Sequence, residues 1–184
     1  MIINPQHVFE TGTVTNIANP TKQVGSDGID LTLHSIKRLC DDATMPAILT
    51  ENKKLTHHRA HILVEPVNLE QMYGITSGYV LEPGVFDITF NEGCDLKDGV
   101  SGMLYLRSTL VRNGCTGTAG WHDNNFQSKH LGMMLHVKYR TVLEQNMRVA
   151  QIILWQGSPT KAYNGTYQGQ VGTDWQQTAA TNVK

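Results

Sequence analysis

The chain has 184 residues, which fits one domain and is long enough to bury a real core. Hydrophobic residues make up 40% and charged residues 17%, a globular composition that excludes a disordered chain. The formal net charge of -1 excludes bulk electrostatic attachment to nucleic acid or to an anionic membrane, so neither is expected as a direct partner.

In chain order, residues 5–9 open with Pro5 and suit one helical turn. Residues 29–33 alternate apolar and polar side chains and read as a strand. Residues 60–64 read as a buried strand. The turn Glu82-Pro83-Gly84 introduces a second alternating strand over 85–90. Residues 108–113 suit a short helix closed by Gly114. Residues 149–155 read as another buried strand. Gly and Asn recur about every ten residues, which predicts an all-β barrel or sandwich with few short helices. Residues 1–162 form that β domain, and 163–184, poor in apolar anchors, form a mobile lid or tail. Cys40, Cys94 and Cys115 are odd in number without C-x-x-C spacing, which predicts free thiols in a reducing, cytoplasmic setting. No signal peptide is expected from residues 1–10, and no stretch approaches the roughly 20 apolar residues that span a bilayer.

Three segments carry candidate chemistry. Arg107, Ser108 and Arg112 fall within six residues, and in a helix Ser108 and Arg112 share one face. Guanidinium groups suit phosphate because they donate in pairs and stay charged. The same arginines also fit ordinary surface ion pairs. Residues 116–123 mix small residues with Trp121, His122 and Asp123. A hairpin there lets backbone groups read a base edge while Asp123 acts as a general base on water, though a plain turn with a solvated Asp fits too. Residues 163–172 suit either a lid or a polar tail. His57, His58 and His61 invite a zinc reading, but in a strand His57 and His61 lie more than about 12 Å apart. No Cys or acidic residue adjoins them, so no metal ligand set is expected.

Taken together, these segments resemble the dCTP deaminase and trimeric dUTPase superfamily, its dCTP deaminase branch most closely. Residues 23–31, with Asp30 at the acidic position, resemble the family's first motif, and residues 79–84 resemble the strand and turn before its central motif. Residues 107–112 match R-S-S-L-x-R with one Ser-to-Thr change. Thr118, Ala119, Gly120 and Asp123 match the base-binding hairpin, residues 147–151 the strand after it, and residues 167–172 the C-terminal lid.

The resemblance implies a distorted β-barrel or jelly-roll subunit, a homotrimer with active sites between subunits, and Mg²⁺ held largely by the triphosphate. It implies that Arg107, Ser108 and Arg112 contact phosphates or the catalytic water. It further implies that Thr118, Ala119, Gly120, Trp121 and His122 cradle the pyrimidine, with Asp123 near the sugar. Gln151, Tyr163 and Gln170 would close the site. The substrate would be a deoxypyrimidine nucleoside triphosphate.

Two departures bear on the reaction. The family's deaminases carry a glutamate ten residues after the hairpin Asp; here that position is Met133, or His136 if the loop is three residues longer. No Asp or Glu occurs between Asp123 and Glu144. The family lysine before the lid Tyr is Thr166, and nearby Lys161 is the candidate to replace it. A diphosphatase needs a carboxylate base and cations on the phosphates, which Asp123, Arg107, Arg112 and Mg²⁺ supply. The expected reaction is therefore dUTP to dUMP and pyrophosphate. A dCTP deaminase with an altered catalytic strand, a nucleotide sensor without turnover and a binder of modified cytosine nucleotides remain the alternatives.

Overall fold

A computed structural model describes residues 1–40, 46–51, 58–118, 120–158, 161–165 and 168–171. Two Asn-Pro pairs start its first helices. Asn4 caps α1 (Pro5–Glu10) by accepting from the Gln6 N–H at 2.8 Å, and Asn19 caps α2 (Pro20–Gln23) by accepting from the Lys22 N–H at 3.2 Å. Proline at the first helical position has no N–H to leave unsatisfied. β1 (Val14–Thr15) lies between them.

The rest is mostly strand. β2 (Ile29–Leu39), β3 (His61–Val64) and β4 (Val67–Leu69) precede the single turn α3 (Glu70–Tyr73). β5 (Ile75–Leu81), β6 (Gly84–Phe90), β7 (Gly93–Asp95) and β8 (Val100–Leu106) lead to α4 (Ser108–Arg112). Gly114 ends α4 with φ +82°, the left-handed conformation that glycine adopts without strain. β9 (Cys115–Thr118), β10 (Trp121–His122), β11 (Gln127–His130), β12 (Gly132–Val137), β13 (Thr141–Glu144), β14 (Arg148–Gln156) and β15 (Gln170–Val171) follow.

The main sheet runs β10-β8-β14-β2-β6-β12-β9, with β3 added to the far half of β2. β2 bends: residues 29–32 pair with β14 and residues 33–38 with β6, across a register shift between Leu33 and Ser35. That bend curls the sheet until β9, at one end, approaches β8, the second strand from the other end. A Cβ on Gly117 of β9 would stand 2.6 Å from Leu106 Cγ of β8, so any larger residue there forces Leu106 to shift. Inside the curl lie Leu31, Leu33, Ile36, Ile88, Phe90, Leu131, Leu135 and Ile152, all fully buried. Each such side chain contributes about 1.5–3 kcal/mol by leaving water. Smaller sheets, β1-β7-β11-β15 and β13-β5-β4, flank the main one. This is the expected all-β, distorted-barrel fold with few short helices. Among the described residues, no helix is long and apolar enough to cross a membrane.

Two strands differ from expectation. β3 is an exposed edge strand rather than a buried one, with Ile62 and Leu63 facing solvent. β14 buries one face only: Val149, Ile152 and Leu154 point inward, while Gln151, Ile153 and Trp155 are partly exposed.

Candidate active site

The first motif places Asp30 on the outer face of β2, next to Gln151 of β14 and, through it, Tyr105 of β8. Arg107, at the end of β8, and Arg148, at the start of β14, both donate through Nη1 to the same oxygen, Asp30 Oδ2; the Arg148 bond is 3.0 Å. Arg148 Nη1 also donates to the Lys22 carbonyl at 2.6 Å. Burial pushes the Asp30 carboxyl up, against the two guanidiniums that pull it down. Asp30 therefore works as a shared clamp rather than as a strong ion pair.

Beneath it, Glu92 of the turn before β7 is fully buried. Its carboxylate accepts from Gln23 Nε2, Thr32 Oγ1 and Thr32 N, each at 2.7 Å. Gln23 Nε2 also donates to the Asp30 carbonyl at 3.0 Å, which ties α2 to β2. Gln151 lies over the turn of the first motif. A Cβ on Gly28 would stand 2.8 Å from Gln151 Cγ and 2.5 Å from the Ile152 carbonyl oxygen, so glycine is required there.

Ser108 and Arg112 occupy one exposed face of α4, as their spacing predicts. The two arginines do not converge, however. Arg107 lines one cavity with Lys22, His130 and Arg148, whereas Arg112 lines another with Lys138 and Arg140.

Residues 118–123 are not a two-stranded hairpin. β9 pairs with β12, setting Thr118 opposite Met134 and Thr116 opposite His136. β10 pairs with β8, setting Trp121 opposite Met103 and His122 opposite Gly102. Gly120 is exposed, and Ala119 lies outside the described residues.

Strand alternation then settles which β12 side chains accompany Thr118. Met133, Leu135 and Val137 face the core; Met134 and His136 face outward, so Met134 is the side chain beside Thr118 and His136 is one row away. Glu144 belongs to a different sheet, opposite Gly78 of β5. The next strand from Met134 carries Asp87, buried and with Oδ2 3.3 Å from His61 Nδ1. The pair spans separate strands and leaves no local spacing to read in the sequence. His57 lies outside the described residues.

Trp121 stacks on Trp155 with ring centroids 5.3 Å apart, and remains 51% exposed. His122 stacks flat on Phe126 at 5.0 Å. Its Nε2 is buried without a hydrogen-bond partner among the described residues. Burial pushes its pKa down to about 4 against the pull of Asp123, so the ring is neutral at pH 7. Asp123 itself is exposed at the start of the next turn, where its carbonyl accepts from the Phe126 N–H.

The described part of the C-terminal segment docks on this same turn. The Tyr163 ring meets Phe126 edge-on at 5.6 Å, and its N–H donates to the Asn124 carbonyl at 2.8 Å. Gln168, not singled out in the sequence, donates from Nε2 to the Asn125 carbonyl at 2.6 Å. The backbone of Gln170 pairs with Ser128 in β15. Thr166 and residues 172–184 lie outside the described residues.

Two groups of candidate residues thus sit at opposite ends of β8. His122 is level with Gly102, and Arg107 is five residues further along, roughly 16 Å at strand rise. One end holds Asp30, Arg107 and Arg148; the other holds His122, Asp123 and Tyr163. Among the described residues, no three His, Cys, Asp or Glu side chains gather to hold a metal ion.

Residues 6–157 match the family described as dCTP deaminase-like. A probable deoxyuridine 5'-triphosphate nucleotidohydrolase of Aeropyrum pernix is 31% identical over 174 residues, covering 92% of this chain and 99% of that one. A probable enzyme of the same name from Archaeoglobus fulgidus is 26% identical over 167 residues, 89% of this chain and 90% of that one. A dCTP deaminase of Pyrobaculum islandicum is 34% identical over 86 residues, 46% of this chain and 49% of that one. The crystal structure of a 2'-deoxycytidine 5'-triphosphate deaminase from Agrobacterium tumefaciens shares the fold with a TM-score of 0.60 at 16% identity, over 85% of this chain and 48% of that chain. With its motifs in order along the curled sheet, the chain belongs to the dCTP deaminase-like family.

Proposed function

We propose that the protein is a dUTP diphosphatase, cleaving dUTP to dUMP and pyrophosphate in a site assembled between copies of the chain, as a homotrimer. The observation that carries the choice of reaction is Met134. It stands beside Thr118, where the base would lie, and a thioether cannot move a proton at pyrimidine C4. Attack at the α-phosphorus needs no group there. Asp123 takes a proton from water, the water oxygen bonds to the α-phosphorus, and the bond to the bridging oxygen breaks as pyrophosphate leaves. Arg107 and Arg112 stabilise the charge that develops on the phosphate oxygens, and Ser108 orients the water or a phosphate. Thr118 to His122 hold the base, Asp123 lies near the sugar, and Gln151, Tyr163 and Gln170 close the site.

Mg²⁺ fits a site of this kind as a cation delivered with the triphosphate, because the acidic side chains, Asp123 and Asp30, stand apart rather than forming a cage. When bound, it neutralises the departing oxygens.

Assembly between copies is supported by the separation of Arg107 from Asp123 along β8. It is also supported by an apolar patch on the outer face between them, where Trp121, Met103, Tyr105, Ile153 and Trp155 line neighbouring strands. Free thiols at Cys40, Cys94 and Cys115 suit the reducing cytoplasm in which we place the protein.

The second reading, dCTP deamination, is favoured by the buried Asp87–His61 pair one strand beyond Met134. Purified protein incubated with each deoxynucleoside triphosphate and Mg²⁺ separates the two. Pyrophosphate from dUTP supports the diphosphatase. Ammonia from dCTP overturns it in favour of the deaminase, and tight binding without product overturns both in favour of a sensor.

A further inference from the structure

We infer that Lys22 and Arg148 bind the polyphosphate end of the nucleotide, in the cavity that α2 and β14 form beside Arg107. The inference rests on the diphosphatase reading for the identity of the nucleotide, and on this chain's own cavity for the residues. The cavity measures about 860 Å³. Three cations line it, Lys22, Arg107 and Arg148, together with His130 and an amide rim that includes Asn91 and Asn146. Among the described residues, no Asp or Glu lines it. The two acids nearby are turned to other work: Asp30 takes both guanidiniums and is 12% exposed, and Glu92 is saturated by Gln23 and Thr32. The surface offered to a ligand is therefore cationic and rich in N–H donors, the chemistry that a pyrophosphoryl group requires.

Its parts are also held in place before any ligand arrives. Arg148 is fixed by Asp30 on one side and by the Lys22 carbonyl on the other, and α2 is anchored through Gln23 to Glu92. Preorganised donors lose little freedom on binding.

The test measures binding of inorganic pyrophosphate and of dUMP to the full chain by titration calorimetry, alongside steady-state dUTP cleavage. Lys22→Met removes an exposed cation that takes no part in the Asp30 clamp, and its fold is expected to be unchanged. Arg148→Met removes the clamped one, and Arg148→Lys restores charge without the fork. Lys22→Met and Arg148→Met are each expected to weaken pyrophosphate binding by about tenfold or more, the effect of losing one charge-assisted contact. The KM for dUTP should rise in parallel while dUMP binding stays unchanged. Arg148→Lys should recover part of the loss. Should Arg148→Met fail to fold, Lys22→Met decides alone. Pyrophosphate affinity equal to wild type in Lys22→Met overturns the inference, as does an equal loss of dUMP binding. If the variants lose pyrophosphate while wild type cleaves no dUTP, the cavity assignment stands and the diphosphatase reading falls.

Discussion

Thr118 and Met134 face each other across β9 and β12, on the outer surface of the curled sheet, while Met133 next to them points into the core. Strand alternation turns Met134, rather than Met133, to the face that carries Thr118, and in the proposed site Met134 is the neighbour of the base. Met134→Leu conserves volume, and kcat/KM for dUTP is expected to stay within about threefold of wild type. Met134→Glu sets a carboxylate against the uracil carbonyl edge, and the KM is expected to rise by about tenfold or more. Steady-state kinetics on both variants checks this; an unchanged KM in Met134→Glu would remove Met134 from the base pocket.

The Asp30 clamp makes a prediction about function rather than stability. Burial disfavours its charged form more than the two arginines favour it. Asp30→Asn keeps an acceptor but drops the charge that Arg107 and Arg148 share. The expected cost in urea unfolding is about 1–2 kcal/mol. The kcat/KM for dUTP should nevertheless fall by at least about tenfold, since both guanidiniums lose their common anchor.

His122 should make the fold sensitive to mild acid. Its folded pKa of about 4 lies below the ordinary histidine value of about 6.5. As pH falls through that interval the unfolded chain takes up a proton that the folded chain refuses, so stability is lost between about pH 6.5 and 4 and is level on either side. The loss is on the order of 3 kcal/mol at most. Asp30, whose pKa is raised, pulls the opposite way in acid. The comparison is therefore between wild type and His122→Gln, by chemical denaturation at pH 7 and pH 4.5. The wild type should lose more stability than the variant.

The aromatic patch on the outer face predicts an interface. Trp121 is 51% exposed and Tyr105 44% exposed, beside the partly exposed Trp155. Trp121→Arg buries a charge in any contact made there and should shift the assembly toward monomers. Sedimentation velocity reads this directly; an unchanged mass would place the interface elsewhere.

Much of this was legible in the sequence, and the exceptions share a cause. The alternation around Asp30, the strand before Phe90 and the helix from Ser108 are local patterns, and they appear where expected. The Asn19-Pro20 pair that starts α2 is also a local signal, a cap followed by a proline. Other features depend on partners far along the chain. Asp30 and Thr32 sit on the polar side of an alternating strand yet are buried, because Arg107, Arg148 and Glu92 arrive to satisfy them. Residues 116–123 carry two glycines that suit a tight hairpin, but β9 and β10 take different partners from opposite ends of the sheet. The docking of Tyr163 on Phe126, and the meeting of His61 with Asp87, likewise have no trace in local spacing.

Arg107 and Asp123, at opposite ends of β8 in one subunit, are predicted to act in one site contributed by different subunits. The decisive measurement mixes Arg107→Ala and Asp123→Asn subunits, each inactive alone, by co-refolding in equal amounts and assaying dUTP cleavage. A shared site regains roughly one quarter of wild-type activity, one half times one half, because a site works only when each side comes from the subunit intact at that position. Activity in the mixture no greater than in either variant alone would rule out a site shared between Arg107 of one subunit and Asp123 of another.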